Sequence, residues 1–355
     1  MKFNEVTFPG AHNSGTAMAS KKPLDCQVTN QDLSLKELLD FGIRFFDFDV
    51  NFHDDENYLF TGHGPKKWYY PYGSMKNAFD EIHSWMKNHP SEIVILYFGE
   101  LYANSRPNAV SSLARLLEVN FDGKNDNIGI NDVFRSNDTW PTLGEAKRTN
   151  KRIFAVIRTK SNSEIDKLGH KVIGEIQVKM DDPEKGKTIP GKTVTVLSTY
   201  KKIGVGSKCE NLVNHAQKAC LSTSGQKTDF NKIALVTAYS KHLDSCLWTI
   251  ARRCNSRMEN ILESCKDDDA GMWLPTDYPN YPGTRGKTIV EVAYDENLRK
   301  SEGMLKGIEP QIEPIKARIA DHSIVNNSGN FSKFDKLILA ILLLIAYFWI
   351  LKKQL

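Results

Sequence analysis

At 355 residues, with 40% hydrophobic, 25% charged and 10% aromatic content, the chain has a globular protein's composition and can bury a large core. A formal charge of +4, from 47 basic and 43 acidic residues, is too mild to argue for nucleic acid and leaves an anionic membrane surface open. No long basic run alternates with aromatics and no zinc-finger spacing occurs, so nucleic acid is not an expected partner; the short KKWYYPY tract at 66–72 suits the lip of a site.

The first segment, VTFPG at 6–10, reads as a strand that stops at its proline and glycine. His12 and Asn13 follow at once, at a strand end, where (β/α) folds carry their chemistry. A histidine and an asparagine in a Gly/Ser/Thr turn can equally be structural. Residues 32–42 form a short amphipathic helix with Asp32 or Ser34 as cap and Gly42 as stop. Strands are expected over 43–50 and 58–64. Residues 74–89 repeat at helical spacing and are closed by Pro90, while 91–99 is nearly all apolar, an internal strand covered on both faces. Helices over 107–120 and 142–150 and a strand over 151–159 follow. Strands alternating with helices mark βα units around a parallel sheet.

Residues 161–232 are less regular, with a polar Gly/Pro loop at 181–192, then TVTVLSTY and a helix-like stretch with two cysteines. A strand is expected at 233–239, a helix over 248–265, the last strand at 288–294 and one or two closing helices over 296–319. No linker divides the chain before about residue 321, so residues 1–320 are expected as one domain, followed by a polar stalk at 321–336.

Residues 337–351 are an uninterrupted apolar run between charged flanks. As a helix the run is roughly 22 Å long and is expected to be a single-pass transmembrane anchor. The alternatives are a buried terminal helix and the tail of a lipid-anchor signal. The final KKQL resembles a dilysine retention signal, which points to the endoplasmic reticulum or another secretory-pathway membrane. Six cysteines (Cys26, Cys209, Cys220, Cys246, Cys254 and Cys265) match no metal spacing and suggest two or three disulfides in an extracytoplasmic body. The opening MKFNEVTFPGAHN lacks an apolar leader core and points instead to a cytosolic one.

Four strand ends carry polar residues that a core strand would not: His12 with Asn13, Arg44 with Asp47 and Asp49, His63, and Glu100. Asp47 and Asp49 are two apart on a strand and face the same way, so FFDFDV presents one acidic face. Two inward carboxylates destabilise each other unless a cation or a donor compensates; on a surface edge strand they would simply be solvated.

HNSGT at 12–16, GIRFFDFDV at 42–50, GHGP at 62–65 and PSEIVILYF at 90–98 occur in an order and spacing that closely resembles the X region of phosphatidylinositol-specific phospholipase C and its relatives. The resemblance covers roughly residues 5–100, and 151–158 and 288–294 more loosely. It implies an α/β fold over 1–320: a distorted (β/α) TIM-like barrel of the PLC-like phosphodiesterase type, ahead of the C-terminal hydrophobic anchor. It also implies a phosphoric diester hydrolase that cleaves a phospholipid head group, from phosphatidylinositol or a glycosylated derivative, with His12 and His63 as acid/base pair. Asp49 stands where simple bacterial members have an arginine that stabilises phosphoryl charge. Calcium-dependent members have asparagine after the first histidine and acids at both strand positions. Asn13, Asp47, Asp49 and Glu100 are therefore implied as Ca²⁺ ligands, Glu100 fitting if the register slips by one residue. In the metal-free alternative Arg44 contributes the positive charge. The aspartate that orients the first histidine in many members falls at Ala293, with Glu291 and Asp295 nearby. The rivals are a glycerophosphodiesterase or phospholipase D-like phosphodiesterase, and a non-catalytic, membrane-attached lipid-binding module.

Overall fold

A computed structural model describes residues 1–18, 29–53, 58–63, 70–124, 127–131, 140–168, 172–178, 193–198, 214, 232–235, 251, 254–255, 257–264, 271–282 and 287–305. The chain divides into a compact unit over Met1–Ser301 and a second over Glu302–Leu355.

Ten strands form one sheet: β1 (Phe8–Ala11), β2 (Phe45–His53), β3 (Tyr58–His63), β4 (Tyr70–Ser74), β5 (Val94–Tyr102), β6 (Ile153–Arg158), β7 (Ile173–Val178), β8 (Thr193–Ser198), β9 (Lys232–Leu235) and β10 (Met272–Thr276). Their order is β1-β10-β9-β8-β7-β6-β5-β2-β3-β4, with an additional β1–β2 pairing. Every pairing is parallel except β2–β3 and β3–β4, which are antiparallel.

The expected TIM-like barrel needs correction. The sheet is not a cylinder closed along its length. β3 and β4 extend it as an antiparallel flap, and β1 meets β2 at only two residue pairs, Gly10–Phe45 and Ala11–Phe46. Crowding at this seam explains the glycine. A Cβ on Gly10 would lie 2.8 Å from the Phe45 ring and 3.0 Å from the Pro275 backbone. It also explains why VTFPG does not end the strand where its proline suggests. β1 runs through Pro9 and Gly10, and the Pro9 carbonyl accepts from Arg44 N–H at 3.0 Å.

Alternation along the parallel strands sorts two cores. Phe8, Phe45, Ile95, Tyr97, Phe154, Val156 and Trp273 pack together on one side of the sheet with Phe3 and Trp140. Phe46, Phe48, Leu96, Phe98, Ala155 and Ile157 face the other way, into the helices. Asp47 and Asp49 have the parity of Phe45, so they extend the first of these faces.

The helices are α1 (Leu35–Phe41), α2 (Met75–Asn88), α3 (Arg106–Asn120), α4 (Leu143–Arg148), α5 (Asn162–Ile165), α6 (Met258–Ser264) and α7 (Ile289–Leu305). The first follows its sequence signals: a Ser34–Glu37 capping box opens it and Gly42, at φ 112°, ends it. The strand expected at 288–294 is instead the start of α7. Glu291 accepts from the Thr288 N–H and hydroxyl, and Thr288 Oγ1 accepts from Glu291 N–H, a box whose spacing outranks the strand-like alternation of IVEVA. The last strand of the sheet is β10.

Two further expectations are corrected. No helix among the described residues is long and apolar enough to cross a membrane. The stalk and the anchor at 337–351 lie outside those residues, so the single-pass membrane location and its endoplasmic-reticulum assignment are not carried forward. The framework of two or three disulfides is cut back to the one bonded cysteine that is described. Among the six cysteines only Cys254 is described, where it is buried and disulfide-bonded, and the other five lie outside the described residues.

Candidate active site

The site sits at the ends of β1 and β10, beside the acids of β2 and the later part of β5. β1 delivers His12, whose N–H donates to Thr276 O at 3.0 Å and whose carbonyl, like that of Thr276, accepts from the Gln31 amide. These bonds fix the backbone of two adjacent strand ends. Asn13 and Tyr278, the residues that leave the His12 and Asp277 positions, have φ of 46° and 49°. A left-handed conformation strains any residue but glycine, and the surrounding bonds must hold it.

The His12 Nδ1–H donates to Asp277 Oδ1 at 2.8 Å, which leaves Nε2 facing Asp47 Oδ2 at 3.9 Å. All three side chains are buried. Burial alone would push the imidazole down, but the Asp277 carboxylate, with Asp47 and Asp49 behind it, outweighs that and raises it to about 9. Asp47 is pushed up to about 6 by burial, against the pull of His12 and of the Asn13 backbone N–H, with Glu100 adding to the rise. Asp49 is held well above the usual carboxylate range, by burial first and the charge of Asp47 second.

Glu100 enters through an irregularity. Asp47 pairs with Tyr97, but Asp49 pairs with Glu100, so β5 carries one extra residue between them. The bulge brings Glu100 level with Asp49. Gly99 lies within it, and a Cβ there would stand 2.9 Å from Asp47 Oδ1. Glu100 itself is held by Arg158 at 3.1 Å and Lys160 at 3.3 Å.

His63 closes β3, where its backbone pairs with Tyr70. Two positions earlier, Thr61 packs on the turn after His12: its hydroxyl donates to Gly15 O, and a Cβ on Gly15 would lie 2.5 Å from Thr61. That contact ties the His12 turn to the strand bearing His63.

Arg44 is elsewhere. It immediately precedes β2, three residues before Asp47. Its guanidinium donates to Glu92 at 2.8 Å and to the Leu39 and Ile43 carbonyls, and lies 4.7 Å from the Trp85 ring centre. It clamps α1 and the β5 approach and does not meet the histidine.

Sequence reasoning missed Asp277. Its signal was MWLPTD at 272–277, a short apolar run ending in an acid, masked by Pro275. Asn30 and Arg158 were missed too, since an asparagine in a loop and an arginine ending a strand carry no pattern.

The carboxylates also frame the question of a metal. Asp47 Oδ1 is buried with no hydrogen-bond partner, and burial first and the charge of Asp47 second raise Asp49, as expected of an oxygen site lacking positive charge. No group of three or more His, Cys, Asp or Glu side chains among the described residues has metal-binding geometry, and Glu100 is turned to Arg158 and Lys160. Asp47 and Asp49 are oxygen donors of the kind a hard cation takes, and Glu100 would join them only by leaving its basic partners.

A parallel (β/α) sheet curled to a short seam, with a carboxylate-held imidazole where β1 and β10 end, is similar in fold to the PLC-like phosphodiesterases. Residues 1–175, just under half of the chain, match the family model described as PI-PLC X 1, and that stretch belongs to the PI-PLC X-domain family. A curated relative, PI-PLC X domain-containing protein 1 of Arthroderma benhamiae, is 28% identical over 165 residues, 46% of this chain and 49% of its own. The chain thus spans about half the length of that relative. Among solved structures, a phosphatidylinositol-specific phospholipase C from Staphylococcus aureus aligns with a TM-score of 0.57 at 16% identity, over 83% of this chain and 93% of its own. The corresponding enzyme from Listeria monocytogenes gives 0.54 at 16%, over 82% and 94%. At such identities these two speak for the fold.

Proposed function

We propose that the chain is a phosphoric diester hydrolase of the phospholipase C type, acting on a phospholipid whose head group carries a hydroxyl beside the phosphate. The observation that carries this reading is the His12–Asp277 pair at 2.8 Å, with Nε2 turned to the acidic face of β2.

In the proposed reaction the vicinal hydroxyl attacks phosphorus and the P–O bond to the glyceride oxygen breaks. His12 takes the hydroxyl proton and His63 supplies one to the leaving alkoxide. Asp277 keeps the His12 ring in one tautomer and orientation, leaving Nε2 to exchange the proton. His12 must be neutral to accept it, and Asp47 and Asp49 favour its protonated form, so it serves as base only when their charge is offset. A hard cation held by Asn13, Asp47, Asp49 and a released Glu100 would supply that offset and positive charge for the phosphoryl oxygens. Phosphatidylinositol has the required vicinal hydroxyl, which makes it the substrate to try first.

The experiment is hydrolysis of radiolabelled phosphatidylinositol in mixed micelles by the full chain, with Ca²⁺ and with chelator, beside His12→Ala and His63→Ala. Turnover that needs both histidines and Ca²⁺ supports the whole reading. Turnover indifferent to chelator removes the cation from it, and none on a panel of phosphodiesters by folded protein rejects the hydrolase.

A further inference from the structure

Asn30 is buried in the connection between β1 and α1, and every polar group it has that can be followed ends on the site. Its Nδ2 donates to Asp277 Oδ1 at 2.6 Å, on the same oxygen that takes the His12 proton, and lies 3.5 Å from His12 Nδ1. Its Oδ1 accepts from Asn13 Nδ2 at 3.2 Å. The backbone is used as well: Asn30 N–H donates to Thr16 Oγ1, and Asn30 O accepts from Tyr278 N–H at 2.9 Å.

Asn30 therefore bonds to both of the left-handed residues, Asn13 and Tyr278, and to the carboxylate between them. The Tyr278 turn in particular places a bulky residue at positive φ, which costs energy that the surrounding bonds offset. Asp277 offers Oδ1 to two donors, and the Asn30 amide fixes the carboxylate plane from which His12 is aimed. An amide suits the place because it donates on one side and accepts on the other. A carboxylate there would face Asp277 with like charge, and an aliphatic side chain would leave both neighbours short of a partner.

We infer that Asn30 is a positioning residue of this site, a single amide that sets the Asp277 carboxylate against His12 and orients the Asn13 side chain beside it. The inference rests on the phospholipase reading for its kinetic consequence only; its structural content stands apart.

The test uses the full chain as wild type, Asn30→Ala and Asn30→Asp. The first readout is the low-field proton NMR signal of a histidine Nδ1–H bonded to a carboxylate, assigned by its loss in His12→Ala. The second is phosphatidylinositol turnover. In Asn30→Ala the signal is expected to broaden away or move upfield, and kcat to fall roughly 10- to 100-fold with KM within about twofold. Asn30→Asp keeps shape and the bond from Asn13 but, when ionised, cannot donate to Asp277. It is expected to lose the signal and turnover at neutral pH. If Asn30→Ala does not fold, Asn30→Asp decides alone. An unchanged signal with unchanged kcat in a folded variant overturns the inference. Absence of turnover in the wild type would reject the phospholipase reading and leave the NMR result to judge Asn30.

Discussion

Asp277→Asn keeps the shape of the side chain that holds His12 and removes its charge. In the folded protein the imidazole is raised from 6.5 to about 9, with Asp277 the foremost cause of the rise. The difference corresponds to roughly 3 kcal/mol at about 1.4 kcal/mol per pKa unit, shared among Asp277, Asp47 and Asp49. A group raised on folding binds its proton more tightly in the native state. The stabilisation is therefore complete below about pH 6.5 and disappears as pH rises through 9. Asp277→Asn should lower stability most at pH 6, by about 2–3 kcal/mol, and much less at pH 9.5. Urea unfolding of wild type and variant at both pH values measures this as a difference of differences, in which other titrations cancel. A penalty of equal size at the two pH values would refute the charge coupling and leave Asp277 a packing residue. Turnover should fall as well, because an amide can present its NH₂ to Nδ1 and permit the wrong tautomer.

Asp47→Asn should act in the opposite sense on stability. A carboxyl raised from 3.8 to about 6 costs the native state up to about 3 kcal/mol above pH 6 and nothing below pH 4. The variant should therefore be more stable than wild type at pH 7, equal at pH 4 and poorer in turnover; no gain at pH 7 in denaturant titration would contradict the buried, uncompensated charge. Gly99→Ala should drive a methyl against Asp47 Oδ1 and the Tyr97 ring, lowering turnover at a stability loss of about 1 kcal/mol. Melting curves and kinetics on one preparation separate the two effects. Arg44→Ala should destabilise by about 1–3 kcal/mol through the lost Glu92 and carbonyl bonds, with kcat unchanged once folded. A fall in kcat of Arg44→Ala at full folding would return this residue to the chemistry.

The first half of the sheet was legible because its signals are local. FFDFDV alternates, SEIVILYFG is unbroken, and S34-L-K-E37 caps a helix by spacing alone. The offset of Glu100 was legible only through the family resemblance, which asks for a slip of one residue, and the β5 bulge supplies that slip. β10 was illegible for the opposite reason. Five residues with an internal proline carry no period, and what makes MWLPT a strand is its pairing with β1 and β9, from residues far away in sequence. The same distance hid Asp277. Thr288 and Glu291 did carry a local signal, but the alternation of Val290, Glu291 and Val292 competed with it, and only the hydrogen bonds decide between the two.

The partners His12 and Asp277 stand 265 positions apart in the chain. When synthesis has produced β1 to β6, the imidazole and the acids of β2 already exist, yet the group that fixes the imidazole's tautomer has not been made. The His12–Asp277 contact thus forms only when β10 pairs with β1. The architecture ties the contact that fixes the imidazole to the completion of the sheet: a residue near the start of the chain waits on one near its far end.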